Sequence, residues 1–190
     1  MCGIFGCLYN NESNFNPFDL KNCLKPLSKR GPDNEGEYFI RRSNYNFFLG
    51  HTRLSIIDTS NRANQPMQSS SGSLIISFNG EIYNHLYIRK KIEEKKCIRW
   101  KSNSDTETLI NFIENFEFDY VLNNLEGMFA FSVLDRKHNK LILARDLAGE
   151  KPLYIFQLPD GGIIFGSEPK AIFALAGKRP PINERHIRRF

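Results

Sequence analysis

The sequence lacks the features that mark secreted, membrane-spanning and zinc-bound proteins. Its four cysteines show no C-x-x-C spacing and no histidine cluster accompanies them, which argues against a zinc site. The first residues form neither a basic segment nor a long apolar one, and no apolar run approaches the length of a membrane-spanning helix. These absences predict a cytoplasmic protein that binds no metal and whose thiols stay reduced.

A strong charge of one sign is also missing. The net charge is +5 over 190 residues, and the basic residues are scattered except for a small basic tip formed by Arg185, Arg188 and Arg189. Nucleic-acid-binding domains usually carry a basic face with interleaved aromatic residues or a recognisable module. We therefore expect a solvated surface and no nucleic-acid partner. The hydrophobic fraction of 41% and the charged fraction of 25% are typical of one packed globular domain.

Hydrophobic patterning predicts many strands and a few helices. Strands are predicted at residues 3–9, 37–41, 46–53, 74–78, 128–134, 140–145, 153–158 and 163–167. Helices are predicted at residues 17–27, 85–95, 105–116 and 170–176, and the polar stretch 61–73 is predicted to be a loop. Several strands lack clean alternation, which is typical of sheets covered on both faces. The pattern as a whole therefore predicts stacked α and β layers.

Two local signals add detail to this pattern. The dipeptide Asn79-Gly80 lies between apolar runs, which predicts a two-residue hairpin turn. Ser104 and Glu107 are three residues apart just before an apolar periodic segment, which predicts a capping box at the start of the 105–116 helix.

Cys2 is the first candidate for chemistry. If Met1 is removed, Cys2 carries both a thiol and a free α-amine. An α-amine titrates at about pH 7.7–8, so it provides a neutral base that takes the thiol proton directly or through a water molecule. Gly3 and Gly6 allow the backbone to bend closely around a substrate. By itself a cysteine at position 2 is also compatible with chance, and with Met1 attached the α-nitrogen is an amide and this base does not exist.

Three further segments supply what an amide-hydrolysing cysteine needs. The side-chain amide of Asn79 and the N–H of Gly80 are candidates for an oxyanion hole, in which each donor is worth roughly 2.7–4 kcal/mol of barrier; a plain hairpin turn is the alternative. Arg53 could bind a carboxylate, or it could be a surface arginine. Asp105 could bind an ammonium group, although an acidic residue at that position also favours the helix dipole. Nearby, His51 is expected to be structural rather than catalytic.

These residues belong to motifs that cover essentially the whole chain. The motifs are Met-Cys-Gly-Ile-Phe-Gly at 1–6, Arg-Gly-Pro-Asp at 30–33, Gly-His-Thr-Arg-Leu-Ser-Ile-Ile-Asp at 50–58, Gln-Pro-Met at 65–67, Phe-Asn-Gly-Glu-Ile-Tyr-Asn at 78–84, Ser-Asp-Thr-Glu at 104–107, Glu-Gly-Met-Phe-Ala-Phe at 126–131, Ala-Arg-Asp at 144–146 and Lys-Pro-Leu-Tyr at 151–154. In this order they resemble class II glutamine amidotransferase domains. Hexosamine-forming relatives typically carry Trp-Ala-Thr where this chain has Leu-Ser-Ile at 54–56, so the resemblance favours the glutamine-hydrolysing asparagine synthetases.

The resemblance implies an α+β fold of the N-terminal-nucleophile hydrolase type, a four-layer αββα sandwich of two antiparallel sheets. It also implies a reaction. Cys2 attacks the side-chain amide of glutamine with its own α-amine as the base, while Asn79 and the Gly80 N–H hold the oxyanion. Ammonia then leaves, and water releases glutamate from the thioester.

The resemblance further implies how glutamine is bound. Arg53 binds the α-carboxylate, Asp105 with Glu81 binds the α-ammonium, and the backbone near Ile56 completes the pocket. No metal or other cofactor is implied for the glutaminase reaction. ATP and magnesium would be needed only by the ATP-pyrophosphatase domain of those enzymes, whose Ser-Gly-Gly-x-Asp-Ser phosphate loop does not occur in these 190 residues.

Two positions depart from the family pattern. Ala148 stands where relatives usually have an aromatic residue, and Glu150 stands where they have an apolar one. In relatives this region lies toward the synthetase half, so the departures concern coupling to a partner more than glutamine hydrolysis. We expect a glutaminase that supplies ammonia to a synthetase domain or chain. The alternatives are a catalytically silent glutamine-binding domain and a glutaminase for another acceptor, such as a sugar.

Overall fold

Antiparallel strands dominate the computed structural model of the chain, which describes residues 1–11, 13, 15–177 and 179. Among these residues the strands are β1 Gly3–Tyr9, β2 Asn34–Arg41, β3 Asn46–Arg53, β4 Met67–Gln68, β5 Leu74–Ile82, β6 Gly127–Asp135, β7 Lys140–Arg145, β8 Tyr154–Gln157 and β9 Ile163–Gly166. The helices are α1 Pro17–Asn22, α2 His85–Lys95, α3 Asp105–Asn115, α4 Phe118–Asn123 and α5 Pro169–Ala176. The basic tip predicted at Arg185, Arg188 and Arg189 lies outside the described residues.

The strands form two sheets that pack face to face. One has five strands in the order β2-β3-β1-β9-β8, and the other has four in the order β4-β5-β6-β7. Every neighbouring pair is antiparallel. Buried residues of α1 and α5 pack on the outer face of the first sheet, and those of α2 and α3 pack on the second. The predicted αββα sandwich is therefore confirmed.

Side chains alternate between two apolar layers along the central strands, because successive residues of a strand point to opposite faces. In β1, Phe5 and Cys7 join the cluster under α1 and α5, whereas Ile4 points to the cluster between the sheets. In β5, Ile76 and Phe78 pack under α2 and α3, whereas Ile75 lies between the sheets. Both faces of these strands are thus buried, which is why their sequences lack polar alternation.

Most predicted elements are confirmed, but helix α4 was not predicted, and the predictions for two segments need adjustment. The helix predicted at 17–27 ends at Asn22 and is followed by a separate 3-10 turn at Lys25–Leu27. Pro26 lies in that turn; it has no N–H to donate, and its ring would clash with an earlier helical carbonyl. The loop predicted at 61–73 contains a 3-10 turn at Asn61–Ala63 and the short strand β4, which pairs with β5.

The hairpin turn predicted at Asn79-Gly80 is wrong. Strand β5 runs without a break through both residues, and Asn79 and Gly80 pair with Ala130 and Phe129 of β6. Gly80 is required by close packing rather than by a turn. A Cβ at this position would collide with the Met128 carbonyl oxygen and would lie 2.7 Å from the Phe129 Cα.

The capping box predicted at the start of α3 forms only in part. The Ser104 side chain accepts a hydrogen bond from the Glu107 N–H at 3.2 Å, as predicted. The carboxylate of Glu107 does not return to Ser104. It accepts hydrogen bonds from the backbone N–H groups of Lys101 at 2.8 Å and Ser102 at 2.7 Å. Glu107 therefore fixes the segment that leads into the helix.

The cysteines are all free thiols in this fold. Within the described ranges, no group of three or more histidine, cysteine or acidic side chains is arranged to hold a metal ion. None of the described helices combines the length and the apolar character needed to cross a membrane.

Candidate active site

Strand pairing brings the predicted site residues to one edge of the sandwich. Gly3 pairs with Thr52, so β1 begins beside the end of β3 and Cys2 lies next to Arg53. The last residues of β5 and the first turn of α3 meet at the same edge. A cavity of about 130 Å³ opens there. All the predicted site residues line it: Cys2, Arg53, Ile56, Asn79, Gly80, Glu81 and Asp105.

The Cys2 thiol is held by the residue that follows β3. The backbone N–H of Leu54 donates to the Cys2 Sγ at 3.4 Å. Burial raises the pKa of this thiol above its usual value, and the Leu54 N–H offsets part of that rise. The thiol is therefore protonated at neutral pH, and nucleophilic attack requires a base that removes its proton.

The backbone of Cys2 is fixed by a partly buried ion pair. The Arg30 Nε donates to the Cys2 carbonyl oxygen at 2.8 Å, and a second guanidinium nitrogen lies 3.1 Å from the Glu168 carboxylate. Met1 also lines the cavity, and its sulfur lies 3.7 Å from the Lys151 Nζ. The Met1 side chain thus occupies part of the space beside the thiol.

Asn79 carries an unpaired hydrogen-bond donor and lines the same cavity as the thiol. The residue is only 1% exposed, and its side-chain Nδ2 has no partner among the described residues. A buried unpaired donor costs about 1–3 kcal/mol. An oxyanion in the cavity would satisfy this donor, so the arrangement has the chemistry of an oxyanion hole.

Arg53 is not a surface arginine, since only 5% of it is exposed. Its guanidinium donates to the Asp58 carbonyl oxygen, to the Ser60 carbonyl oxygen at 2.9 Å and to the Asn64 side-chain oxygen at 2.7 Å. These acceptors come from the loop that follows β3. They orient the planar cation at the cavity wall, where it can bind a carboxylate.

Asp105 provides the opposite charge. Its two carboxylate oxygens accept hydrogen bonds from the backbone N–H groups of Ile82 at 3.0 Å and Thr106 at 2.9 Å. Burial raises the pKa of Asp105 to about 6, opposed by these hydrogen bonds and reinforced by the negative charge of Glu81. Asp105 is therefore mostly ionised at pH 7 and destabilised in that form, so a bound ammonium group would stabilise it.

His51 has a structural environment, as expected. It is fully buried, it does not line the cavity, and its Nε2 lies 3.0 Å from the Phe78 carbonyl oxygen. Burial lowers its pKa to about 4, so the ring is neutral at pH 7. Because a carbonyl oxygen only accepts, the Nε2–H donates this bond and holds the strand residue just before Asn79.

Sequence reasoning assigned no role to several residues that shape the cavity. Gln65 accepts a hydrogen bond from the Phe78 N–H at 2.7 Å and donates to the Thr106 hydroxyl at 3.2 Å, so it joins β5 to α3. Lys151 is a buried lysine, and it lines the cavity. Asp58 lines the cavity and accepts hydrogen bonds from the Arg53 guanidinium and from the Asn103 N–H. All three lie in motifs named above, but their roles depend on contacts between distant parts of the chain.

Comparison with known proteins identifies the family to which the chain belongs. The family model described as a glutamine amidotransferase domain matches residues 1–190. The glutamine-hydrolysing asparagine synthetase 2 of Arabidopsis thaliana is 34% identical over 90% of this chain, and that of Asparagus officinalis is also 34% identical over 90%. The chain spans 28% of the length of each of these relatives.

A solved structure shows the same fold. The glutamine phosphoribosylpyrophosphate amidotransferase of B. subtilis, complexed with ADP and GMP, superimposes with a TM-score of 0.74 at 22% identity, covering 92% of this chain and 44% of that one. The architecture is therefore that of the N-terminal-nucleophile hydrolases. The chain belongs to the glutamine amidotransferase domain family, and the two curated relatives described above are glutamine-hydrolysing asparagine synthetases.

Proposed function

We propose that this domain hydrolyses the side-chain amide of L-glutamine to glutamate and ammonia. One observation carries the proposal. A single cavity is lined by the Cys2 thiol, the unpaired amide donor of Asn79, and two opposite charges on Arg53 and Asp105. Those charges match the α-carboxylate and the α-ammonium of a free amino acid. The thiol and the amide donor match the needs of acyl transfer from an amide.

Substrate binding follows from the two charged walls. Arg53 binds the α-carboxylate, and Asp105 with Glu81 binds the α-ammonium. The backbone near Ile56, in the loop after β3, closes the pocket. Glutamine bound in this way extends its side-chain amide toward Cys2 and Asn79.

The reaction proceeds through a thioester. The α-amine of Cys2 takes the thiol proton, and the sulfur attacks the amide carbon. The resulting oxyanion is held by the Asn79 side chain and the Gly80 N–H. The protonated α-amine returns the proton to the leaving nitrogen, and the C–N bond breaks to release ammonia. Water then attacks the thioester, giving glutamate and the free thiol; the reaction needs no metal or cofactor.

Removal of Met1 is required by this mechanism. While Met1 is attached, the α-nitrogen of Cys2 is an amide and cannot act as the base. The Met1 side chain also lines the substrate cavity. Removal of this residue supplies the base and frees that part of the cavity.

The ammonia is proposed to serve asparagine synthesis. The support is the similarity to glutamine-hydrolysing asparagine synthetases, of which this chain matches a minor part. A synthetase domain, on the same or another polypeptide, would consume the ammonia and ATP and would need magnesium as its cofactor. We further propose a cytoplasmic location, where that reaction has its substrates and the Cys2 thiol stays reduced.

Glutamate release from glutamine tests the proposal. Mass spectrometry first establishes that Met1 is absent from the purified protein. We expect turnover in the processed protein and none in Cys2→Ala. Turnover that survives Cys2→Ala, or no turnover and no glutamine binding by processed protein, would overturn the proposal. Binding without turnover would favour a silent glutamine-binding domain instead.

A further inference from the structure

The two charged groups of the substrate site belong to different parts of the fold. Arg53 ends β3 in the first sheet, and Asp105 begins α3, which packs on the second sheet. The carboxylate and ammonium of an α-amino acid are attached to one carbon atom. Recognition of both groups by a single ligand therefore requires that the spacing between Arg53 and Asp105 be held constant.

Asp58 contacts both halves of this site. Its backbone carbonyl oxygen accepts a hydrogen bond from the Arg53 guanidinium. Its side-chain Oδ2 accepts a hydrogen bond from the Asn103 N–H at 2.8 Å, two residues before Asp105. We call these contacts of Asp58 with Arg53 and Asn103 the Asp58 bridge.

The other carboxylate oxygen of Asp58 shapes the Arg53 side of the site. The Oδ1 accepts a hydrogen bond from the Ser60 N–H at 2.8 Å. The Ser60 carbonyl oxygen then accepts from the Arg53 guanidinium at 2.9 Å. One carboxylate thus orders the loop that orients Arg53 and also anchors the segment leading to Asp105.

The segment on the Asp105 side is rigidly supported. The buried guanidinium of Arg89 donates to the carbonyl oxygens of Ser102 at 2.9 Å and Ser104 at 3.0 Å.

Hydrogen bonds from Ser60 and from the Asn103 N–H hold the pKa of Asp58 at about 2, so its carboxylate stays ionised. At neutral pH the Asp58 bridge therefore joins the loop that holds Arg53 to the segment that Arg89 supports.

We propose that Asp58 is the positioning residue that sets the spacing between the carboxylate-binding Arg53 and the ammonium-binding Asp105. Asp58 thereby makes the site selective for ligands that carry both charges on one carbon atom. The proposal rests on the proposed function, because it concerns the same pocket. It assigns Asp58 no contact with the reacting amide, so the chemistry at Cys2 does not depend on it.

The test measures binding in the Cys2→Ala protein, so that it does not depend on turnover. Calorimetry compares L-glutamine with 4-carbamoylbutanoate, which keeps the carboxylate and the amide but lacks the ammonium group. The asparagine side chain of Asp58→Asn has nearly the volume of the native aspartate. Its single oxygen can take the place of only one of the two carboxylate oxygens that accept hydrogen bonds from the Ser60 and Asn103 N–H groups. Asp33→Asn is the matched control, because the Asp33 carboxylate accepts the Ser55 N–H at 2.7 Å in the same loop and does not line the cavity.

We expect Asp58→Asn to weaken glutamine binding roughly tenfold, the loss of about one charge-assisted hydrogen bond. Binding of 4-carbamoylbutanoate should weaken much less, because a ligand without the ammonium group does not need Arg53 and Asp105 at a fixed spacing and because the variant removes a negative charge near Arg53. In protein with intact Cys2, the rise in KM should exceed any fall in kcat, and iodoacetamide should alkylate Cys2 at the native rate. Asp33→Asn should leave both affinities within about twofold of the native values.

An unchanged glutamine affinity in Asp58→Asn would overturn the proposal. An equal loss of affinity for both ligands would also overturn it, provided that the variant has the same midpoint of unfolding in denaturant as the native protein. If Asp58→Asn does not fold, Asp58→Glu is used with the same criteria. The outcome is separable from the proposed function. A protein that binds glutamine in a manner dependent on Asp58 but does not hydrolyse it would contradict glutamine hydrolysis alone.

Discussion

The Asp105 carboxylate accepts a hydrogen bond from the Ile82 N–H at 3.0 Å, which ties the first turn of α3 to the last residue of β5. This contact places Asp105, the group proposed to bind the ammonium, beside the strand that carries Asn79 and Gly80. It also holds a negative charge in a buried position beside Glu81. The pH dependence of both stability and substrate binding follows from that placement.

Asp105 should lower the stability of the protein above pH 6. Its pKa is about 6 in the folded protein against 3.8 as the reference value for the unfolded chain, so the folded state binds the proton more tightly. The free energy of unfolding should therefore fall as the pH rises from 4 through 6, by about 2–3 kcal/mol for this group. Subtracting the urea-unfolding curves of Asp105→Asn from those of the native protein isolates this slope. A pH-independent difference would contradict the prediction.

Ionisation of Asp105 should strengthen glutamine binding, although it lowers the stability of the protein. The α-ammonium binds the ionised carboxylate, so affinity should be full above about pH 7 and should fall roughly tenfold per pH unit well below 6. Calorimetry on the Cys2→Ala protein between pH 5 and 8 measures this without turnover. Asp105→Asn should bind weakly at every pH, and a native affinity that stays flat down to pH 5 would count against the assignment of Asp105.

Asn79→Ala should lower kcat by roughly 10²–10³-fold through loss of one oxyanion donor. The free energy of unfolding should change by no more than about 1 kcal/mol. The variant loses the packing contacts of the Asn79 side chain, but it also removes a buried amide donor that has no partner, and the two effects offset each other. Ser77→Ala is the control. Ser77 lies two residues earlier on the same face of β5, its hydroxyl is also unpaired among the described residues, and it does not line the cavity. Equal effects of the two variants on kcat would refute the oxyanion role.

Gly80→Ala should destabilise the domain by about 3 kcal/mol, at the upper end for overpacking, because the new methyl group would press on the backbone of β6. Gly166→Ala in β9 provides a graded comparison, since its Cβ would come no closer than 3.1 Å to the Ile4 carbonyl oxygen. Chemical denaturation should rank Gly80→Ala well below Gly166→Ala in stability. The reverse order would show that β6 moves aside at low cost.

Arg30→Lys should lower kcat roughly tenfold and leave KM within about twofold, because Arg30 fixes the nucleophile rather than the substrate. A lysine cannot reach the Cys2 carbonyl and the Glu168 carboxylate with the same fork geometry. Lys21→Ala, which breaks an exposed ion pair with Glu37, should change neither constant. Steady-state kinetics on both variants decides the matter, and a change confined to KM would place Arg30 at the substrate instead.

Most regular elements were predictable from local patterns, although helix α4 and strand β4 were not. Strand β1 and helix α2 have the predicted bounds. Glu107 shows where such reasoning fails. The spacing from Ser104 predicts a reciprocal cap, but the carboxylate instead binds two N–H groups of the preceding segment, which the fold brings within reach.

By itself, the sequence determined the layered α+β architecture, the family and the seven candidate site residues that line the cavity, because periodicity and motif order are properties of the chain read locally. Only the tertiary structure decided that Asn79 and Gly80 remain in a strand, since the pairing of β5 with β6 outweighs the turn preference of Asn-Gly. It also decided the role of Asp58. The hydrogen bond from Asn103 to Asp58 joins residues 45 positions apart, and such a contact has no signature in either segment alone.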